Sequence, residues 1–170
     1  GTGKLTLKGG GGEQHSATIG GGSVGGLELS SSLNLTVAGA TALGDVSLGD
    51  SAVLNINQGV AATASSLSIR DNSKATLNIN GSLDVSGNFY AIGCSNTTDI
   101  IGSGEGSSLT VGSLDICNFG TNFNLQNITM TVSGKANAGD DHNKNTTHID
   151  LNAGSALNLL GAVTFNTSDS

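Results

Sequence analysis

Tryptophan and proline are absent from the 170 residues, tyrosine occurs once, phenylalanine four times, and only 11% of positions are charged. A compact globular core of this size ordinarily leans on large aromatic side chains. Here rows of medium-sized aliphatics must take their place, as in the thin, regular cores of stacked repeats. Basic residues are scarce as well: six Lys and Arg stand against thirteen Asp and Glu, and Arg70 is the one arginine. A net charge of −7 without a basic patch excludes electrostatic binding to nucleic acid or to an anionic membrane surface. No apolar run approaches the roughly 18 residues of a membrane span, which excludes direct insertion as a helix. The chain opens on Gly rather than Met and has no signal-like segment, so we expect it to be a mature or excised piece of a longer protein.

Glycine, by contrast, is abundant, with 27 copies, and Ser and Asn crowd around it. Such a composition also suits a disordered linker. Against disorder, Leu, Ile and Val recur at alternate positions throughout: LTL at Leu5, LEL at Leu27, LNLTV at Leu33, VSL at Val46, LNI at Leu54, LSI at Leu67, LNI at Leu77, LDV at Leu83, LTV at Leu109, LDI at Leu114, IDL at Ile149 and LNL at Leu157. A period of two marks short strands with one buried face, and no stretch of ten residues has helical spacing. Gly, Asn, Asp and Ser between the strands supply turns.

The strands repeat. SSSLNLTVAGATALGDVSLGD from Ser30 falls over SAVLNINQGVAATASSLSIRD from Ser51 without a gap, matching Leu33 to Leu54, Val46 to Leu67 and Leu48 to Ile69. LNINGSLDVSGNFYAIG from Leu77 falls over LTVGSLDICNFGTNFNL from Leu109 with one gap and adds a third strand to the unit. Three strands joined by tight turns make one coil of a parallel β-helix (a β-solenoid), each coil about 4.8 Å from the next. The fold expected is all-β: a single domain over residues 1–170 of about seven coils of roughly 21–23 residues, a rod on the order of 35 Å long. Three loop insertions are expected near 8–25, 94–106 and 134–147, where the register breaks.

In this frame Asn34, Asn55, Asn78 and Asn158 point outward. They either form an amide ladder along the rod or are simply polar outward residues, Thr110 and Thr129 filling the same place in the intervening coils.

GTGKLTLKGG at the start, followed by GGSVGGLELSSSLNLTVAG, resembles the autotransporter-associated β-strand repeat, a Gly-rich pattern leading into Leu-x-Leu strands. SAVLNINQG and SKATLNINGSLDVSG are similar to Gly/Ser/Asn-rich surface passenger proteins of Gram-negative bacteria. The resemblance implies a secreted or cell-surface segment with an adhesive or structural role. The chain departs from that pattern in its insertions and in having two cysteines.

Those cysteines, Cys94 and Cys117, are about one coil apart, which suits either a disulfide between adjacent rungs or two separate thiols packed as small apolar groups. In the third insertion and the strand after it, Asp140, Asp141, His142, His148 and Asp150 form a candidate binding loop. Oxygen-rich sets favour calcium, but the spacing matches no calcium or zinc motif, so no metal or cofactor is expected and a solvated loop is the plainer reading. Asp84 and Asp115 align through SLDV and SLDI as a candidate acid pair. On a flat outer face, with few aromatics to seat a sugar, such a pair makes a poor glycosidase, and Arg70 beside Asp71 reads as a turn pairing. We expect no enzyme.

The function expected is an extracellular structural or adhesive β-solenoid, its partners being other copies of itself stacked head to tail, a longer solenoid, or surface glycans. A carbohydrate-binding or polysaccharide-cleaving β-helix and a phage-type fibre segment are the alternatives. Insertions that converge acidic groups on one face would favour the carbohydrate reading.

Overall fold

The computed structural model describes residues 3–9, 13–70, 73–91, 97–116, 121–139 and 147–166. It is an all-β parallel solenoid of about six turns without a helix, built from twenty strands among the described residues. The chain visits three faces in rotation. The first carries β2 (His15–Ile19), β5 (Leu33–Val37), β8 (Val53–Ile56), β11 (Lys74–Ile79), β13 (Thr97–Gly102), β15 (Asn122–Gln126) and β18 (His148–Leu151). The second carries β3 (Gly22–Ser23), β6 (Thr41–Ala42), β9 (Ala61–Ala64), the first halves of β12 (Ser82–Ala91) and β14 (Ser108–Ile116), then β16 (Thr129–Val132) and β19 (Ala156–Leu159). The third carries β1 (Lys4–Leu7), β4 (Gly26–Leu29), β7 (Asp45–Leu48), β10 (Ser66–Ile69), the second halves of β12 and β14, then β17 (Ala136–Gly139) and β20 (Val163–Asn166).

Alternation explains the packing. In β8 and β11, Leu54 stacks on Leu77 and Ile56 on Ile79, all four fully buried, while Asn55 beside Asn78 faces out. The same inward columns run through every face and merge into a single apolar bore. Within it the rings of Phe89 and Phe123 lie 5.2 Å apart with their planes tilted by 58°. Thr98 is an inward exception. It stacks between Ala75 and Phe123, and its buried Oγ1 has no hydrogen-bond partner.

Glycines explain the corner between the second and third faces. Gly25, Gly44, Ser65, Gly87, Gly112, Gly134 and Gly161 follow one another there, coil upon coil. A Cβ on Gly44 would come within 2.3 Å of the Gly25 carbonyl oxygen, and one on Gly161 within 2.1 Å of that of Gly134. Backbone rests directly on backbone, as the Gly134 N–H donating to the Gly112 carbonyl at 2.8 Å shows. In the β12 and β14 pair the register shifts at this corner between Val85 and Asn88.

The coil length departs from a constant repeat. On the first face Leu35, Leu54, Leu77, Ile100, Leu125 and Leu151 stack in turn, at steps of 19, 23, 23, 25 and 26 residues. Leu54 therefore lies over Leu35, not over Leu33, although Val46 over Leu67 and Leu48 over Ile69 agree with the sequence alignment. A shift of two keeps inward residues inward, which is why the pattern tolerates it. The three expected insertions are also corrected: 8–25 contains the rungs β2 and β3, 94–106 contains β13, and 134–147 contains β17. HSATI and GS have too few large aliphatics to announce themselves as strands.

Candidate functional site

The outer face of the first sheet brings the asparagines together. Asn78 Nδ2 donates to Asn55 Oδ1 at 2.8 Å, and Asn55 Nδ2 donates in turn to Asn34 Oδ1 and, at 3.1 Å, to the Leu35 carbonyl. Asn34 joins although its backbone partner is Val53, because the side chains lean along the strand to bridge the offset. Asn158 stands elsewhere: it follows Thr131 on the second face, and Thr110 and Thr129 are on that face too. The LNL around Asn158 belongs to a different strand of the coil.

A neighbouring column on the first face holds Asp99, Asn124 and Asp150. Asn124 Nδ2 donates to Asp99 Oδ1 at 2.7 Å. His148 follows Asn122 one column over, and both His148 and Asp150 are exposed on β18. Asp140, Asp141, His142, Cys94 and Cys117 lie outside the described residues, and among those described no three His, Cys, Asp or Glu side chains gather to hold a metal. Nor does any helix among them have the length and apolarity to cross a membrane.

Asp84 and Asp115 do not stack. Asp84 pairs with Thr63 and Thr110 on the second face, whereas Asp115 pairs with Tyr90 and Asn137 on the third. SLDV is the first half of β12 and SLDI the second half of β14, so their likeness joins different parts of the coil. The two carboxylates lie on different faces and form no acid pair.

Sequence reasoning missed the main charge cluster. Glu28 on β4 accepts from Lys4 Nζ at 2.6 Å on the rung below and from Arg70 Nη2, 42 residues on. Arg70 Nε also donates to Ser47 Oγ at 3.3 Å, so its contacts span several rungs, while Asp71, its partner in the sequence reading, lies outside the described residues. Lys4 and then Arg70 hold the Glu28 carboxyl below the usual glutamate range. The signal was present in outline, since Glu28 is the outward carboxylate of LEL and its column continues through Ser47 and Ser68, two rungs without charge.

The corner between the first and second faces is uneven. The turns there hold four residues at 57–60, two at 80–81 and five at 103–107 on successive coils. The short turn between longer ones leaves a cleft of about 320 Å³, lined by Gln58, Val60, Asn80, Ser82, Glu105 and glycine backbone. Comparison with family models, curated proteins and solved structures finds no match to this chain.

Proposed function

We propose that this chain is an extracellular structural or adhesive β-solenoid, a rigid rod that carries its turns and outer columns to a secreted or cell-surface setting. One observation carries the reading: parallel pairing links the strands from β1 to β20 coil by coil around one apolar bore, so each rung is fixed by its neighbours. The Gly/Ser/Asn-rich outer surface and the resemblance to surface passenger repeats support the location. Among the described residues the outermost strands have no partner on their outer side, with Leu151, Leu160 and Val163 exposed at one end, and a further solenoid rung is the natural cover for them. We infer that this rung comes from a second copy stacked head to tail or from a longer solenoid.

Negative-stain microscopy together with light scattering tests both parts. Uniform filaments that lengthen with protein concentration are expected if copies stack. Isolated rods of about six turns would reject stacking and keep the rod, while compact or irregular particles would reject the rod itself.

A further inference from the structure

The cleft at 80–81 has the build of a binding site. Its floor is the two-residue turn Asn80–Gly81, held by the Asn80 N–H on the Ile56 carbonyl at 2.9 Å and the Ser108 N–H on the Gly81 carbonyl at 3.1 Å. Gly81 is required there: a Cβ would come within 2.2 Å of the Val60 carbonyl oxygen and 2.6 Å of that of Asn57. One wall is the turn 57–60, closed by Val60 N–H donating to the Asn57 carbonyl at 3.1 Å, with Gly59 at φ 72°. The other is the turn 103–107. Ser107 N–H donates to the Gly104 carbonyl at 3.0 Å, Ser107 Oγ accepts from the Ser103 N–H at 3.0 Å, and Gly106 has φ 84°. Both walls are thus pinned by their own bonds, and a site held open in this way needs little ordering when a ligand enters.

The next notch along the same corner shows that a short turn alone does not leave a cleft. The two-residue turn 127–128 lies between the longer turns 103–107 and 152–155, yet it is filled: a Cβ on Gly154 would meet Asn127 Oδ1 at 2.5 Å. At Asn80–Gly81 the space stays open among the described residues, and Gln58 and Glu105 stand exposed on opposite walls.

The lining selects a ligand class. Glu105 brings a carboxylate that forms no ion pair among the described residues, Gln58 and Asn80 bring amides that both donate and accept, and Val60 and Ala61 add a small apolar patch. Vicinal hydroxyls on a ring with an apolar side match such a set, since a carboxylate accepts from two hydroxyls while an amide donates to one and accepts from another. Glu105 and the net charge of −7 disfavour phosphates, uronates and other anions. The volume is at the lower end of the roughly 300–1,000 Å³ typical of small-molecule sites and fits about one sugar ring.

We propose that this cleft binds a single ring of a neutral saccharide, with Glu105, Asn80 and Gln58 as its polar contacts. The proposal rests on the reading of the chain as a rigid adhesive scaffold and gives that scaffold a point of attachment. It is tested by titrating the isotope-labelled chain with cellohexaose, mannohexaose, maltohexaose and chitohexaose at millimolar concentration while following amide resonances. At least one saccharide should shift Gln58, Gly59, Gly81, Glu105 and Gly106 saturably. Glu105→Ala should weaken that binding about tenfold, the size of one lost hydrogen bond to a charged group, while Glu13→Ala, an exposed change in the first coil, leaves it unchanged. Should Glu105→Ala lose its fold by circular dichroism, the side-chain NH₂ signals of Gln58 and Asn80 in the unaltered chain decide instead. Absence of any shift in the cleft, shifts confined to other faces, or equal binding of an oligogalacturonate would overturn the proposal. Failure here leaves a rod seen by microscopy standing, and loss of the rod would be visible before any titration.

Discussion

Leu77 in the middle of the rod and Leu151 at its end occupy the same column of the same face, yet Leu77 is completely buried and Leu151 is 54% exposed. Sequence pattern is equal at the two places, apolar residues alternating with polar ones. The difference is made by the rung on the far side: Leu77 has Leu54 on one side and Ile100 on the other, whereas Leu151 has Leu125 on one side and none among the described residues on the other. Burial in a solenoid is therefore a property of stacking and is not carried by any single segment.

That contrast can be broken most strongly at the leucines themselves. Leu77→Ala should cost about 3 kcal/mol in urea unfolding, the usual range for a buried leucine, and Leu151→Ala less than about 0.5 kcal/mol. Equal losses at both places would mean that the end rung is covered in solution. A second test removes the orphan hydroxyl of the middle coils. Thr98→Val keeps the shape and deletes an unpaired buried oxygen, so it should raise stability by about 1 kcal/mol, whereas Thr129→Val on the exposed outer face should leave it nearly unchanged.

The outer ladder gives an effect of about the same size and the opposite sign. Asn55→Ala removes both amide bonds to its neighbours and should lower stability by about 1 kcal/mol, and Asn158→Ala, on the second face near the end, should change it little. Smallest is the charge cluster. Because Lys4 and Arg70 lower the folded-state pKa of Glu28, its contribution is complete above the ordinary glutamate range and is lost as pH falls through the lowered value. Melting temperatures of the native chain and of Glu28→Gln should differ at neutral pH and converge in acid. A gap that stays constant from neutral to acid pH would show that the ion pairs contribute nothing.

Much of the architecture is legible in the sequence because alternation is a local property. The Leu54 over Leu77 match is legible because LNIN stands at both places, at 54–57 and at 77–80. Register across coils is less legible. SLDV and SLDI look alike, but three kinds of strand draw on one small vocabulary of Leu, Asn, Asp, Ser and Val, so likeness does not say which face a strand joins. The same ambiguity placed Asn158 in the ladder, whereas the scarcity of large aliphatics in HSATI and GS hid β2 and β3 inside a supposed insertion.

Sequence alone determined the all-β class, the inward and outward sides of each strand and the stacked parallel form, since each follows from period-two alternation and from glycine where backbones touch. Tertiary structure decided which residues meet across coils: the Lys4, Glu28 and Arg70 cluster, the separation of Asp84 from Asp115, and the open notch at Asn80–Gly81 between two longer turns. Those outcomes depend on the number of residues in each turn. That number varies, with coil steps from 19 to 26 residues, while the inward columns hold, so the apolar pattern does not report it.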